Sequence, residues 1–298
     1  MSNVCIYHKN CLDGMAAAWV VWKHFYGSVQ LIPAKYGDPL PEGLEGKNVY
    51  VVDFSYPLDL MLDLAGRCNL VVMDHHDSAE NACKSLVASR QRNARYTCEV
   101  VFDQGRSGAM LAWKYFFKDE EPPMGIRFVE DRDLWKFELD MTKEWTAVAF
   151  SYPFDVMAFD ELIQKDPFLV LEAGETLLRK QRSDVYKISK EHWFIDIDGH
   201  KFPVVNSNRN FSSDLGELLN DKYPVAVMYV DSKTGREFSL RSRGFAVNAI
   251  AEKFGGGGHV KAAGFILPFK DRRFGKSHLK LRSKGYYWNQ LLGLLGIG

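Results

Sequence analysis

Three short apolar runs, each ending in a histidine or an aspartate, constrain this chain more than any other feature. Val4-Cys5-Ile6-Tyr7 runs into His8, Asn48-Val49-Tyr50-Val51-Val52 into Asp53, and Leu70-Val71-Val72-Met73 into Asp74-His75-His76. Helical patterns separate them, the clearest from Asp13 to about Phe25. Continuous β-branched runs alternating with helices predict parallel strands covered on both faces, a doubly wound α/β sheet. Open parallel sheets bind ligands outside the carboxyl ends of their strands, so three strands would deliver His and Asp to one edge. Ser107 to Phe117 reads as another covering helix. A fourth cluster, Glu130-Asp131-Arg132-Asp133, follows what reads as an apolar turn, Ile126-Arg127-Phe128-Val129.

Taken singly these signals are ordinary. An Asp after a strand is commonly a turn or helix cap, and one His a structural hydrogen-bonder. Jointly they point to a metal site. Carboxylates crowded in one pocket need compensating cations, and a mixed oxygen and nitrogen donor set suits Mn²⁺ or Mg²⁺ better than a thiolate-seeking metal.

The pattern changes in the second half. Leu169 to His192 reads as a connecting helix, and Phe202–Val205, Pro224–Val230 and Glu237–Leu240 as strands of a smaller α/β domain. Ala246 to Phe254 is a helix by its apolar spacing. It leads into Gly255-Gly256-Gly257-Gly258-His259. Glycines let backbone N–H groups approach a phosphate closely. Arg241 and Arg243, at the end of the strand before, would add guanidinium forks suited to phosphate oxygens. The bland readings are a flexible linker and an exposed strand end.

Composition narrows the field. The chain has 298 residues, which at ~150 residues per domain suggests two domains. Its 38 basic and 38 acidic side chains give no net charge. Proteins that coat long nucleic acid usually carry a basic surplus, so no long nucleic acid is expected as partner. No apolar run reaches the ~18 residues of a membrane span, and the N-terminus lacks a signal-peptide pattern, so no membrane is expected. Five cysteines without a CxxC pair fit a reducing, cytoplasmic setting.

With these motifs in order, the chain resembles the DHH phosphoesterase family with its DHH-associated, GGGH-bearing domain, the family of RecJ-type exonucleases and short-RNA oligoribonucleases. The resemblance rests on His8-Lys9-Asn10-Cys11-Leu12-Asp13-Gly14, Val52-Asp53, Asp74-His75-His76, Val129-Glu130-Asp131, the Ser239–Arg243 strand end and Gly255–Phe265. It implies a catalytic DHH domain over 1–154, a helical linker over 155–195, a substrate-binding domain over 196–269 and a basic tail over 270–298. The active site would lie in the cleft between the domains. It also implies two Mn²⁺ ions, with Mg²⁺ as the alternative. His8 would bind one ion and Asp13 the other, Asp53 would bridge them, and His75 and Asp131 would complete the second ion's ligand set. Asp133 fits the fourth motif less well. Asp74 would orient a ligand, and His76 would meet the scissile phosphate. Arg241, Arg243, Gly256, Gly257, Gly258 and His259 would grip the substrate. Cys11 departs from the pattern, standing where many members carry an Asp.

The implied reaction is two-metal hydrolysis of short RNA oligonucleotides or linear dinucleotides such as pGpG to nucleoside 5′-monophosphates. The alternatives are a pAp phosphatase, a cyclic-dinucleotide phosphodiesterase and a silent nucleotide sensor. A homodimer is compatible with this reading. The tail carries seven lysines and arginines against the single Asp271. It reads as a solvated surface segment or as a guide for nucleic acid.

Overall fold

The apolar runs lie side by side in one sheet. The computed structural model describes residues 1–89, 95–271 and 280–281, so most of the basic tail lies outside the described residues. The chain divides into two compact units, Met1–Leu178 and Arg179–Gly298.

The first unit runs β1 (Asn3–His8), α1 (Leu12–His24), β2 (Gln30–Ala34), β3 (Asn48–Val52), α2 (Leu58–Arg67), β4 (Asn69–Asp74), α3 (Glu80–Ala88) and β5 (Cys98–Phe102). Helices α4 (Gly108–Phe117), α5 (Met124–Asp133), α6 (Thr142–Ala149), α7 (Val156–Gln164) and α8 (Pro167–Lys190) follow, and α8 runs past the unit boundary. The five strands are parallel in the order β2-β1-β3-β4-β5. Apolar cores cover both faces. One gathers α1, α4 and α5 with Trp145 and Phe159, the other α2 and α3 with Phe54 and Leu44. Helix α1 is buried at every position from Leu12 to Val21, which is why its sequence is apolar all round.

This order positions the site. The chain places β2 on one side of β1 and β3 on the other, so β1 and β3 flank the topological switch point, where open α/β sheets bind ligands. Tyr7 pairs with Val52, and Val52 with Met73. The residues after that shared row, His8, Asp53 and Asp74, therefore leave the sheet at one edge.

One element differs from expectation. Ile126-Arg127-Phe128-Val129 is not a turn but the middle of α5, begun after Pro123 at its N-cap.

The second unit contains β6 (Trp193–Ile197), β7 (His200–Asn206), α9 (Ser212–Leu219), β8 (Val225–Asp231), β9 (Arg236–Ser242), α10 (Val247–Lys253), β10 (Gly257–His259), β11 (Ala262–Leu267) and the short β12 (Lys280–Leu281). They form one mixed sheet, β10-β11-β9-β8-β7-β6-β12. Phe238, Phe254 and Phe265 stack in its core, with ring centroids 4.9 and 4.6 Å apart. The glycine run is no linker, since it forms the edge strand β10. Among the described residues, no helix is long and apolar enough to cross a membrane. All five cysteines are free of disulfides.

Candidate active site

Asp53 is the centre of the site. It follows β3 in a left-handed conformation (φ 61°), which Asp tolerates better than most residues. Its N–H donates to the Met73 carbonyl. Its carboxylate then lies between two histidines, Oδ2 3.4 Å from His8 Nδ1 and Oδ1 3.1 Å from His75 Nε2. Gly108 permits this placement. A Cβ there would fall 2.6 Å from Asp53 Cβ and 2.8 Å from its Cα. Gly14 does the same for His8, because a Cβ would meet the His8 carbonyl oxygen at 2.3 Å.

Asp13 is held by the start of α4. It accepts the N–H of Gly108 at 2.5 Å and of Ala109 at 2.9 Å, a carboxylate at the positive end of a helix. His75 Nε2 stands 3.7 Å from Asp13 Oδ2 and 3.5 Å from Asp133 Oδ2. Two groups thus bring ligand atoms within 4.8 Å of one another: His8, Asp53 and His76, and Asp13, His75 and Asp133.

Asp131, expected in the second set, faces elsewhere. Its carboxylate accepts the N–H groups of Glu138 (2.8 Å) and Leu139 (3.2 Å) and the Thr142 hydroxyl (2.5 Å). At about 100° per residue, two positions along a helix differ by roughly 200° and point to opposite faces. Only one of Asp131 and Asp133 can therefore face His75, and the structure places Asp133 there. Asp74, fully buried, is absent from both sets. It accepts the N–H groups of His75 and His76, the Ser55 hydroxyl at 2.6 Å, and His76 Nδ1 at 2.7 Å. This pins the His76 ring and leaves Nε2 as its other nitrogen. Cys11 belongs to neither set. Burial, then the carboxylates of Asp53 and Asp13, push its thiol well up, away from the thiolate form.

These residues fit divalent cations. His8 Nδ1 and Asp53 Oδ2 are buried and lack hydrogen-bond partners, an arrangement that a ligand to both would satisfy. The donors are carboxylate oxygens and imidazole nitrogens, as hard ions such as Mn²⁺ and Mg²⁺ require. Burial raises the Asp53 pKa, but the His75 hydrogen bond and the neighbouring His8 ring outweigh it and hold the carboxyl well below its usual range. Asp13 and Asp133 are pushed up, first by burial and then by the Asp53 charge. Between the ordinary Asp value of ~3.9 and these raised values the folded chain holds more protons than the unfolded one, so metal-free stability falls as pH rises through that window. A bound cation would reverse this cost and must displace protons to bind. Mn²⁺ is therefore expected to raise the Tm more at pH 8 than at pH 5 in thermal melts. Equal shifts at the two pH values would contradict the assignment.

In the second unit, sheet register aligns Arg241 on β9 with Ala262 on β11 and His259 on β10. Directly paired antiparallel residues share a face, so Arg241 and His259 point to the same side. His259 is exposed. Arg241 packs its stem on α9 where Gly216 lacks a Cβ, since one there would meet Arg241 Cβ and Cγ at 2.5 Å. Arg243 is not brought to this row. It pairs with Asp221 at 2.7 Å. The glycines are partly structural. A Cβ on Gly256 would lie 2.0 Å from the Gly264 carbonyl oxygen, and Gly258 has φ 138°, while Gly257 meets nothing.

Residues 208–273, which hold this row, match the family model of the DHHA1 domain. The chain carries a DHHA1 domain. The matched segment includes the glycine run Gly255–Gly258 and His259, whereas Asp74-His75-His76 lies outside it. The chain is 27% identical over 292 residues to the uncharacterized protein R106 of Acanthamoeba polyphaga mimivirus, covering 89% of this chain and 67% of that protein. Among solved structures it is similar to RecJ of Thermus thermophilus in complex with Mn²⁺, with a TM-score of 0.49, 14% identity, and coverage of 91% of this chain and 50% of that one. It is also similar to PggH of Vibrio cholerae, a pGpG-specific phosphodiesterase, with a TM-score of 0.45, 13% identity, and coverage of 90% and 94%.

Sequence reasoning missed the groups that orient the ligands. Gly108 and Ala109 read as an ordinary helix start, and Ser55 belongs to no motif. Tyr36 and Phe54 belong to no motif, although their rings lie 5.7 and 6.1 Å from that of His8. The Ser107 cap before α4, whose hydroxyl accepts the Met110 N–H, was the available signal for the helix start.

Proposed function

We propose that this chain is a metal-dependent phosphodiesterase that hydrolyses short RNA oligonucleotides or linear dinucleotides, pGpG among them, to nucleoside 5′-monophosphates. The observation that carries the reading is Asp53, which belongs to one three-residue ligand group through the oxygen toward His8 and turns its other oxygen toward His75 of the second. Two divalent cations, when bound, would supply charge neutralisation at the phosphate oxygens and acidify a water nucleophile. His8, Asp53 and His76 would hold one and Asp13, His75 and Asp133 the other. Asp74 keeps the His76 ring in one orientation and tautomer. Arg241 and His259 are assigned the grip on a substrate phosphate or terminal nucleotide, through charge-assisted hydrogen bonds. A neutral chain with a few such groups suits a short substrate, because affinity for long polyanions scales with the number of phosphates neutralised.

The test is incubation with Mn²⁺ and a panel of pGpG, ApA, longer RNA, pAp and cyclic dinucleotides, with products identified. Dinucleotides are expected to be cleaved fastest and to yield 5′-monophosphates. Faster cleavage of long RNA, or turnover confined to pAp or cyclic substrates, would overturn the reading. His259→Ala is expected to raise KM for a dinucleotide about ten-fold, the size of one charge-assisted hydrogen bond. Its exposed position should leave the melting temperature unchanged.

A further inference from the structure

The chain between α5 and α6 is held in an unfavourable shape beside the metal-ligand groups. Three residues there adopt left-handed backbone conformations without being glycine: Trp135 (φ 54°), Phe137 (φ 51°) and Met141 (φ 77°). Bulky side chains disfavour this region, and such residues persist only where the surroundings impose them. Asp131 imposes them. Its carbonyl oxygen accepts the N–H groups of Lys136 and Phe137, and its carboxylate ties down Glu138, Leu139 and Thr142.

The product of this constraint is an exposed aromatic surface. Trp135 is 62% exposed and rests edge-to-face on Phe137, with ring centroids 5.0 Å apart. The Arg132 guanidinium lies 5.9 Å from the Trp135 ring and 4.6 Å from that of Phe150, which is itself 45% exposed. The Lys143 ammonium lies over Phe137 at 5.2 Å. An indole left in water by a strained backbone adds nothing to the core. Trp135 is also only two residues beyond Asp133, within about 7 Å along the chain. Aromatic faces interleaved with cations are how proteins hold single-stranded nucleotides, with stacking on the rings and charge on the backbone.

We propose that Trp135, buttressed by Phe137 and flanked by Arg132 and Lys143, is a stacking platform for a nucleobase of the substrate whose phosphate lies at the metal-ligand groups. The inference rests on the phosphodiesterase reading and adds to it that the substrate is recognised through a base as well as a phosphate.

The test compares wild type, Trp135→Ala and Trp135→Phe on the dinucleotide pApA and on analogues lacking one adenine. Trp135→Ala is expected to raise KM for pApA about ten-fold, with kcat within about two-fold, as for the loss of one stacked base. Trp135→Phe should retain most of the affinity. The analogue lacking the stacked base should have a raised KM in wild type that Trp135→Ala raises no further. A KM unchanged in Trp135→Ala, or raised equally for all analogues, overturns the platform. A binding readout separates this from failure of the proposed activity. With Ca²⁺ replacing Mn²⁺, pApA should quench tryptophan fluorescence in wild type and much less in Trp135→Phe. If no substrate is hydrolysed, the activity reading falls while the quench still decides the platform, and equal quenching in both proteins, or none in wild type, overturns it.

Discussion

Asp53→Asn is expected to lower phosphodiester hydrolysis by about a thousand-fold or more. Both oxygens of Asp53 are committed, one toward His8 and one toward His75. Asparagine keeps one oxygen and turns an NH₂ toward the other partner, so one cation would lose an anionic ligand and gain a facing donor. A thousand-fold is about 4 kcal/mol of transition-state stabilisation, within the several kcal/mol that metal-ion charge neutralisation supplies. Metal content should fall with it, from two ions per chain to one or none by elemental analysis. Activity within ten-fold of wild type would remove Asp53 from the centre of the site. A large fall in metal-free stability would make its role structural.

The second large effect is expected at a residue with no side chain. Gly108→Ala places a methyl 2.6 Å from Asp53 Cβ and 2.8 Å from its Cα, and neither backbone can yield cheaply. Asp53 is fixed by its N–H bond to Met73, and Gly108 by its bond to Asp13. Overpacking of this kind costs roughly 3 kcal/mol, or about 6–12 °C in Tm for a unit of this size. It should also push Asp53 off its ligand position, so Mn²⁺ would no longer stabilise the variant. Gly66→Ala in α2 is the control. Nothing lies within 4 Å of its added methyl, and alanine in a helix is favoured by about 0.5–1 kcal/mol over glycine. Melting curves of the two variants, with and without Mn²⁺, check both halves. A Gly108→Ala protein that melts like wild type would show that the close approach is not needed.

The central strands were legible because each is an apolar, β-branched run with a ligand-type residue just past its end. The flanking strands were not. Gln30-Leu31-Ile32-Pro33-Ala34 contains a proline, which argues against a strand, and β2 tolerates it because it lies at the sheet edge, where a missing N–H breaks no ladder on its outer side. Gly257-Gly258-His259 has no strand propensity and is a strand only through its pairing with β11. At the site, His8, His75, Asp13 and Asp53 could be read from the motifs as ligands, but the grouping of His76, expected at the phosphate, with His8 and Asp53 could not, nor could the choice between Asp131 and Asp133. That choice depends on the helical phase of α5, and a four-residue apolar run does not distinguish a helix from a turn. The backbone donors of Gly108 and Ala109 left no mark beyond an ordinary serine cap, because a main-chain N–H has no sequence signature.

The spread of the ligands along the chain has a kinetic consequence. The two groups draw on the ends of β1, β3 and β4 and the starts and ends of α1 and α5, from His8 to Asp133. No short stretch contains a complete set, and every set needs loops closed across many residues. Capture of one cation must then follow the pairing of β1, β3 and β4, and capture of the other the docking of α5. Contacts made that late are absent from the folding transition state and act on the unfolding rate instead. The ions would serve this unit as a latch that slows its opening, and they would leave the speed of its folding to the topology of the sheet.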